Sequence, residues 1–465
     1  MNGDDSEQVT NLMDGRTMFK SGMLAMTLLM VTAACPETEE DVVSNLADQL
    51  NDDDPYQAAT AAQALAKMGH AAAPAIGDLI EALADTRDAG ITPKYFPVPR
   101  EIVGSCAANA LAAIGSPAVP ALADALGTRD EGVRLRAMSA LRAIGAPAKS
   151  VLPRLRRMIE QEESDSLRFY SLDAYCAIGA DDESVPKVLQ SALRDSSPEI
   201  RGLAAQELGD LGQAAAVAID DLIAMLSDEA LRARALTPDF ATERAVRYDA
   251  AEALGKIGPA AKKARGRLTA LMVNDPDAEV RVSAALAVFR IDGGNAEAMN
   301  ALIASLKDDG EGTAGPQEAA KAFQQLGPRA APALPALVEA LNHMDEFIRS
   351  SSVRAIAAIG SPEAFTAVRS MIDDDREWMR LDAVEALGDL GPAAAPAVPE
   401  LIEFATGRDE NTDFWVKREA VRTLGKIGPG ARSAVPELQK LAASDEDEYV
   451  RELANEAIER ITREK

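Results

Sequence analysis

One pattern constrains this chain more than any other: a segment with helical apolar spacing that stops at a glycine and then starts again. VRLRAMSALRAIG (133–145), IRGLAAQELGDLG (200–212), VRYDAAEALGKIG (246–258) and MRLDAVEALGDLG (379–391) are four instances. Aligned on that final residue, twelve repeats appear, with reference positions 69, 115, 145, 179, 212, 258, 292, 327, 360, 391, 428 and 462. Most spacings are 30–37 residues, and two stretch to 46. One residue before the reference position, all twelve repeats are apolar, from Met68 to Ile461, and so are all twelve at four before, from Leu65 to Ile458. Eight before, every residue is Ala or Ser, and twelve before, ten of twelve are apolar. Offsets of 12, 8, 4 and 1 fall on one face of a helix. The small residue in the middle of that face lets a neighbouring helix approach closely.

The glycine ends this first helix, here termed A, and the expected conformation is the left-handed cap. In seven repeats a proline follows within two residues, as at Pro117, Pro259 and Pro392. Proline at a helix start is preorganised, so a second helix, B, follows, for example PALPALVEAL (332–341) or PAVPELIEF (396–404). A pair this small cannot bury both faces alone. Stacked neighbours supply the core, which makes the array a solenoid. Aromatics are only 4% of a chain that is 47% hydrophobic, so small aliphatic side chains must build that core.

Eleven residues before the reference position, nine of twelve residues are basic: Arg134, Arg168, Arg201, Arg247, Arg281, Arg349, Arg380, Lys417 and Arg451. An acid often lies nearby upstream, as at Asp130, Asp165, Asp277, Asp345 and Asp447. A ladder of charge-assisted hydrogen bonds tying each repeat to the next explains this column better than a basic binding stripe, because the chain carries a net charge of −27. The pattern D-x-x-V-R-x-x-A-x-x-A-L-G-x-I-G resembles HEAT repeats of the short phycobilisome-lyase type over residues 55–465. The resemblance implies an all-α, right-handed α-solenoid of about twelve two-helix HEAT-like repeats. Two repeats depart from the pattern at the start of helix A, with Gln57-Ala58 in repeat 1 and Gly315-Pro316 in repeat 8. Those helices are expected to be shorter or looser there.

The residue inventory argues against chemistry. Phosphate-backbone binding needs surplus Lys and Arg, which this chain lacks, so a nucleic-acid partner is not expected. With two His and three Cys, a His/Cys zinc site has too few ligands. Similar repeats in deoxyhypusine hydroxylase hold iron through His-Glu pairs; this sequence has no His-Glu dipeptide. Cys106 and Cys176 stand two repeats apart, too far to pair, and read as buried structural residues. Acidic runs at 373–375 and 445–448 lack the glycine and spacing of a calcium loop. No cofactor and no enzymatic activity are expected. A lyase-type or enzyme-accessory protein handling a ligand in the concave groove is the alternative, and a structural spacer in the cell envelope is a third.

The N-terminus reads separately. From Met18, a short basic region with Lys20 leads into a 14-residue uncharged run, Ser21–Ala34, that ends in Val-Thr-Ala-Ala-Cys. This resembles a bacterial lipoprotein signal with lipidation at Cys35, and Met18 would be the true start. The implied protein is exported and anchored in a membrane, facing the periplasm or cell surface. An ordinary hydrophobic N-terminal helix, and a cytoplasmic protein, is the other reading. Residues 1–34 are then leader and 35–54 an acidic tether with a short capping helix.

The aromatic residues mark where a partner would bind. Three long connections, 86–99, 230–242 and 407–415, hold Tyr95, Phe96, Phe240, Phe414 and Trp415, five of the eighteen aromatics. Thirteen before the reference position, the last four repeats carry Phe347, Trp378, Trp415 and Tyr449, and repeat 1 carries Tyr56. Residues beginning successive A helices form a stripe along one edge. The stripe serves either as packing against the preceding turn or as an anchor edge, since Trp and Tyr are favoured anchors. The expectation is a non-catalytic scaffold or adaptor for a protein partner, one whose basic surface would complement this acidic chain.

Overall fold

The computed structural model describes residues 38–88, 102–227, 245–308, 312–407 and 414–463. The helices start where short polar side chains can cap them. Asp54, Asp130, Asp277, Asp345 and Asp447 each accept a hydrogen bond from a backbone N–H in the first turn of an A helix. This satisfies donors that would otherwise be orphaned. The acids upstream of the basic column therefore have a job of their own. Among the described residues there is no strand; one isolated bridge joins Asp88 and Ile102.

The chain divides after Asp182 into two blocks. In the first, a capping helix, Glu39–Gln49, precedes the A helices Pro55–Met68, Val103–Ile114, Glu131–Ile144 and Asp165–Ile178, each packed on the next. The second block carries eight A helices in sequence: Pro198–Asp210, Ala245–Ile257, Ala278–Ile291, Ala314–Leu326, Glu346–Ile359, Glu377–Leu390, Phe414–Ile427 and Glu448–Thr462. Each of these also packs on its successor. The fold is an all-α solenoid, with four A helices in the first block and eight in the second among the described residues, and shorter B helices between them.

The apolar columns become the core. All ten apolar residues at offset 12, from Val103 to Val450, are buried, as are the Ala and Ser at offset 8. At offset 4 the column is buried from Leu65 to Leu424, and only Ile458 is partly exposed. Burial of each Leu or Ile side chain contributes about 1.5–3 kcal/mol, so a continuous column is the main stabilising term.

The close approach between A helices is also set by the first glycine of the L-G-x-I-G segment. An added Cβ at Gly209, Gly255 or Gly425 would lie 3.0, 2.9 or 3.0 Å from the Cα of Ala253, Ala287 or Ala457 in the next repeat. These glycines stand three residues before the reference position, facing an alanine five before it in the following repeat.

Two expectations need correction. Gly360 takes the expected left-handed cap, with φ 70° and ψ 13°, and Gly179 keeps a negative φ, but at Gly69, Gly145 and Gly391 φ is positive while ψ is −127°, −140° and −130°, far from the left-handed helical value. This region is closed to residues with a Cβ, so glycine is required here more strictly than in an ordinary cap. It turns the chain into a 3-10 segment, such as Gly391–Ala397, before helix B begins at Val398. The prolines thus sit in or just after that segment, and helix B is shorter than the sequence suggested. The A helices of repeats 1 and 8 are not shortened either: Pro55–Met68 has 14 residues and Ala314–Leu326 has 13. Gly315 lets Ala278 approach to 3.1 Å from where its Cβ would be, so the glycine serves packing.

The basic column ties the turns between repeats. Arg168, Arg201, Arg281, Arg349 and Arg451 each donate through Nη1 to the two carbonyls five and six residues back, at 2.6–3.3 Å. Those carbonyls close the turn after the preceding B helix. Arg134, Arg247 and Lys417 instead reach forward, to the carboxylates of Glu162, Asp275 and Asp445 at 2.9, 3.0 and 2.7 Å. The same three acids offer their carbonyls to Arg168, Arg281 and Arg451, so two successive basic residues grip one turn. Repeat 1 lacks its base at Ala58. Arg87 supplies the bonds from the next turn, donating to the carbonyls of Asp52 and Asp53 at 2.9 Å.

Candidate partner-binding edge

Phe347, Trp378, Trp415 and Tyr449 are each the second residue of their A helix. The same helical position on stacked helices gives the same direction, so they line one edge across repeats 9 to 12. They are 71%, 55%, 52% and 42% exposed, and Phe414 beside them is 48% exposed. The core columns behind them are complete without these rings. Met344, in the turn before Phe347, is also exposed. Tyr56 holds the equivalent position in the first block, again exposed. Tyr95, Phe96, Phe240 and Cys35 lie outside the described residues.

Arg418 organises the C-terminal part of the edge, and the aromatic pattern alone did not reveal it. Its guanidinium carbon sits 3.7 Å from the Phe414 ring centre, 4.9 Å from Tyr449 and 5.7 Å from Trp415. Phe414 and Trp415 meet edge to face at 5.4 Å. Asp447 holds the guanidinium with two bonds, to Nε at 2.7 Å and Nη2 at 3.0 Å. That pairing holds the Asp447 carboxyl below the usual carboxylate range and raises Arg418. Asp447 also caps the helix that carries Tyr449, so one carboxylate fixes both the cation and the ring beside it. Arg422 donates to the Tyr449 hydroxyl at 3.1 Å. Arg418 lies four residues after Phe414, one helical turn on the same face, which is the spacing that could have exposed it in the sequence.

Phe347 and Trp378 differ from this cluster. Among the described residues, no cation or second ring packs on either. The turns beside the stripe are acidic. Glu346, Asp373, Glu446 and Glu448 are exposed and form no ion pair among the described residues, and exposed Asp375 stands beside Arg376. Among the bases nearby, Arg376 pairs with Asp374 and Lys417 with Asp445, while Arg349 and Arg380 bond backbone carbonyls and keep their charge. The edge thus combines open aromatic faces with acidic turns.

Among the described residues, a cleft of about 750 Å³ lined by Asp308, Thr313, Asn342, His343 and Asp345 opens beside Met344 at the start of the edge. No group of three or more His, Cys, Asp or Glu among the described residues could hold a metal ion. Cys106 and Cys176 are buried in separate A helices, and the acids at 374, 445 and 447 are taken up by arginine, lysine and helix caps.

Stacked helix pairs with a shared core define an α-solenoid, a fold typical of interaction scaffolds. The chain belongs to the HEAT repeats family, whose model matches residues 99–176, 239–314, 312–388 and 377–459, more than half of its length. Among solved structures it is similar to importin beta, crystallised in an ammonium sulfate condition. That match has 13% identity over 97% of this chain and 68% of that one, with a TM-score of 0.56. It also resembles yeast importin-beta, Kap95p, at 12% identity over 97% of this chain and 71% of that one, TM-score 0.49. At such identity the first likeness shows the fold alone. No curated protein matches the sequence.

Proposed function

We propose that this protein is a non-catalytic scaffold that holds a protein partner at the aromatic edge of repeats 9 to 12, and that it works outside the cytoplasm, anchored through a lipid on Cys35. The observation that carries the binding reading is the exposure of Phe347, Trp378 and Trp415 at one helical position in three adjacent repeats whose core is already full. Large exposed rings contribute nothing to the solenoid interior, and such rings are the residues that dominate interface energies. The excess of unpaired carboxylates along the same edge favours a partner with a basic surface. HEAT-repeat solenoids are typically interaction scaffolds, which agrees with a surface site.

Capture with the full chain, followed by mass spectrometry, tests the reading. A partner retained by the native protein should be lost with Trp378→Ala/Trp415→Ala, while far-UV circular dichroism stays unchanged. Retention by the double variant overturns the edge as the site. The anchor is tested on protein from its native host. The mature form should begin at Cys35 and carry a lipid mass there, and a mature chain beginning at Met1 refutes export.

A further inference from the structure

The ladder of basic residues is interrupted at one place, and a cleft opens there. Three repeats have no base eleven residues before the reference position: Ala58 in repeat 1, Gly104 in repeat 2 and Pro316 in repeat 8. The first two are supplied from elsewhere. Arg87 bonds the carbonyls of Asp52 and Asp53 for repeat 1. In repeat 2, Arg136 of the next repeat crosses Gly104 and donates through Nε to the Leu83 carbonyl. A Cβ at Gly104 would stand 2.9 Å from that Nε, so the glycine leaves the room that the borrowed arginine needs. In repeat 8, the cleft of about 750 Å³ lies beside Pro316. Asp308 and Thr313, before the A helix of repeat 8, line one side, and residues 342–345, before that of repeat 9, line the other. None of the described residues that line it is Arg or Lys.

The acid side of the ladder changes at the same place. Six residues before the basic column, Glu162, Asp275 and Asp445 each pair with the base of the preceding repeat, at 2.9, 3.0 and 2.7 Å. In repeat 9 that position is His343, and the base it would pair with is Pro316. Both members of one rung thus depart from the pattern together. The turn itself is kept. Asp275 and Asp445 accept the backbone N–H two residues on, at 3.0 and 3.1 Å, and His343 accepts that of Asp345 through Nδ1 at 2.9 Å. His343 does the acid's local work without its carboxylate. In the rung before, Arg281 stands 3.8 Å from Asp308, farther than in any of the three pairs above. Asp308 lines the cleft, and so does Asp345, which caps the A helix of repeat 9 by accepting the Ile348 N–H.

We propose that this cleft receives an arginine side chain of the protein partner, which takes the place of the base missing at Pro316 and pairs with the carboxylates of Asp308 and Asp345. The column itself shows the chemistry that fits between such turns: eight of its nine bases are arginine. Pro316, Met344 and Ile348 give the apolar wall on which an arginine stem packs while its head reaches the carboxylates. A planar guanidinium serves two acceptors at once, as Arg349 does on the carbonyls of His343 and Met344. A cleft of this volume holds more than one side chain, so the segment that carries the arginine enters with it. The inference rests on the partner reading above for the source of the arginine and adds an anchor point next to Phe347.

The probe is the peptide acetyl-Gly-Arg-Gly-amide, added at millimolar concentration to the full chain. The citrulline peptide, of the same shape and without the charge, is the control. Met344 lines the cleft, so its isotope-labelled methyl resonance, assigned with Met344→Leu, reports occupancy. The arginine peptide should shift it saturably and bind about tenfold tighter than the citrulline peptide, the worth of one charge-assisted pairing. Pro316→Arg supplies the base from the chain itself and should abolish the response, with the circular dichroism spectrum retained. Equal responses to the two peptides, a response that survives Pro316→Arg, or no response to the arginine peptide overturns the assignment. If Pro316→Arg loses helical signal, Asp308→Asn reads the same site: about tenfold weaker binding supports it, and unchanged binding overturns it. None of these measurements involves Trp378 or Trp415, so the cleft and the aromatic edge stand or fail separately.

Discussion

Two glycine-to-alanine changes in a single repeat should shift stability in opposite directions. Gly255 lies inside the A helix Ala245–Ile257, and Gly266 is the second residue of the following B helix, Arg265–Asn274. Alanine in a helix interior is favoured over glycine by about 0.8–1 kcal/mol, so propensity alone would make Gly255→Ala stabilising. Its Cβ, however, would sit 2.9 Å from the Cα of Ala287 and 3.0 Å from its Cβ. Favourable carbon contacts lie at about 3.5–4 Å, so the A helices of repeats 6 and 7 must part by several tenths of an ångström. Ala287 is a short side chain on a helix backbone and cannot swing aside. Overpacking of this kind costs about 1–3 kcal/mol, which exceeds the propensity gain and leaves a net loss of about 1 kcal/mol. At Gly266 nothing stands within 4 Å of the added methyl, and only the gain remains, about 0.5 kcal/mol near a helix start. Thermal and urea unfolding followed by far-UV circular dichroism should place Gly255→Ala about 1–2 °C below the native protein and Gly266→Ala slightly above it. If Gly255→Ala stabilises as much as Gly266→Ala, the close approach of the A helices is not a constraint and the packing argument fails.

Three further outcomes follow from individual contacts. Asp249 is 3% exposed, accepts one bond from Gln206 at 3.0 Å and leaves its other oxygen without a partner. Burial pushes its carboxyl up to about 6. The folded state thus keeps a proton that the unfolded chain releases near its ordinary value. Stability falls as pH rises from about 4 to about 6 and stays lower above, by at most about 3 kcal/mol. Asp249→Asn should match the native melting temperature near pH 4 and exceed it from pH 6 upward; a constant difference across that range contradicts the assignment. Arg418→Met removes the cation between Phe414 and Tyr449 while keeping the aliphatic stem, and should increase quenching of Trp fluorescence by acrylamide with the helical signal intact. An unchanged quenching constant means the rings need no such support. Arg87→Leu should speed amide exchange over residues 52–58, where Arg87 holds two carbonyls, and leave residues 131–178 unaffected. Equal exchange in both regions removes Arg87 from its proposed role.

The fold was legible because its determinants are local and repeated. Columns at offsets 12, 8, 4 and 1 specify which face of each A helix is apolar, and twelve copies leave no other way to bury it than by stacking. The exposed edge was legible for the complementary reason: Phe347, Trp378, Trp415 and Tyr449 fall outside the columns that the core uses, so their exposure follows from the same period. What the sequence could not supply were quantities that depend on two helices meeting. The requirement for glycine at 209, 255 and 425 exists only because an alanine backbone of the next repeat comes within contact distance. The ψ values near −130° at Gly69, Gly145 and Gly391 arise from the turn into a 3-10 segment, which no apolar period encodes. Arg87 replaces the base missing at Ala58 because the stacking carries it to the right carbonyls across more than thirty residues of chain. Arg418 becomes the centre of the edge only when Asp447 and Tyr449, from the following helix, close over it. Sequence fixes periodic faces through local helical geometry, whereas contacts between layers depend on distances that the stacked structure alone defines.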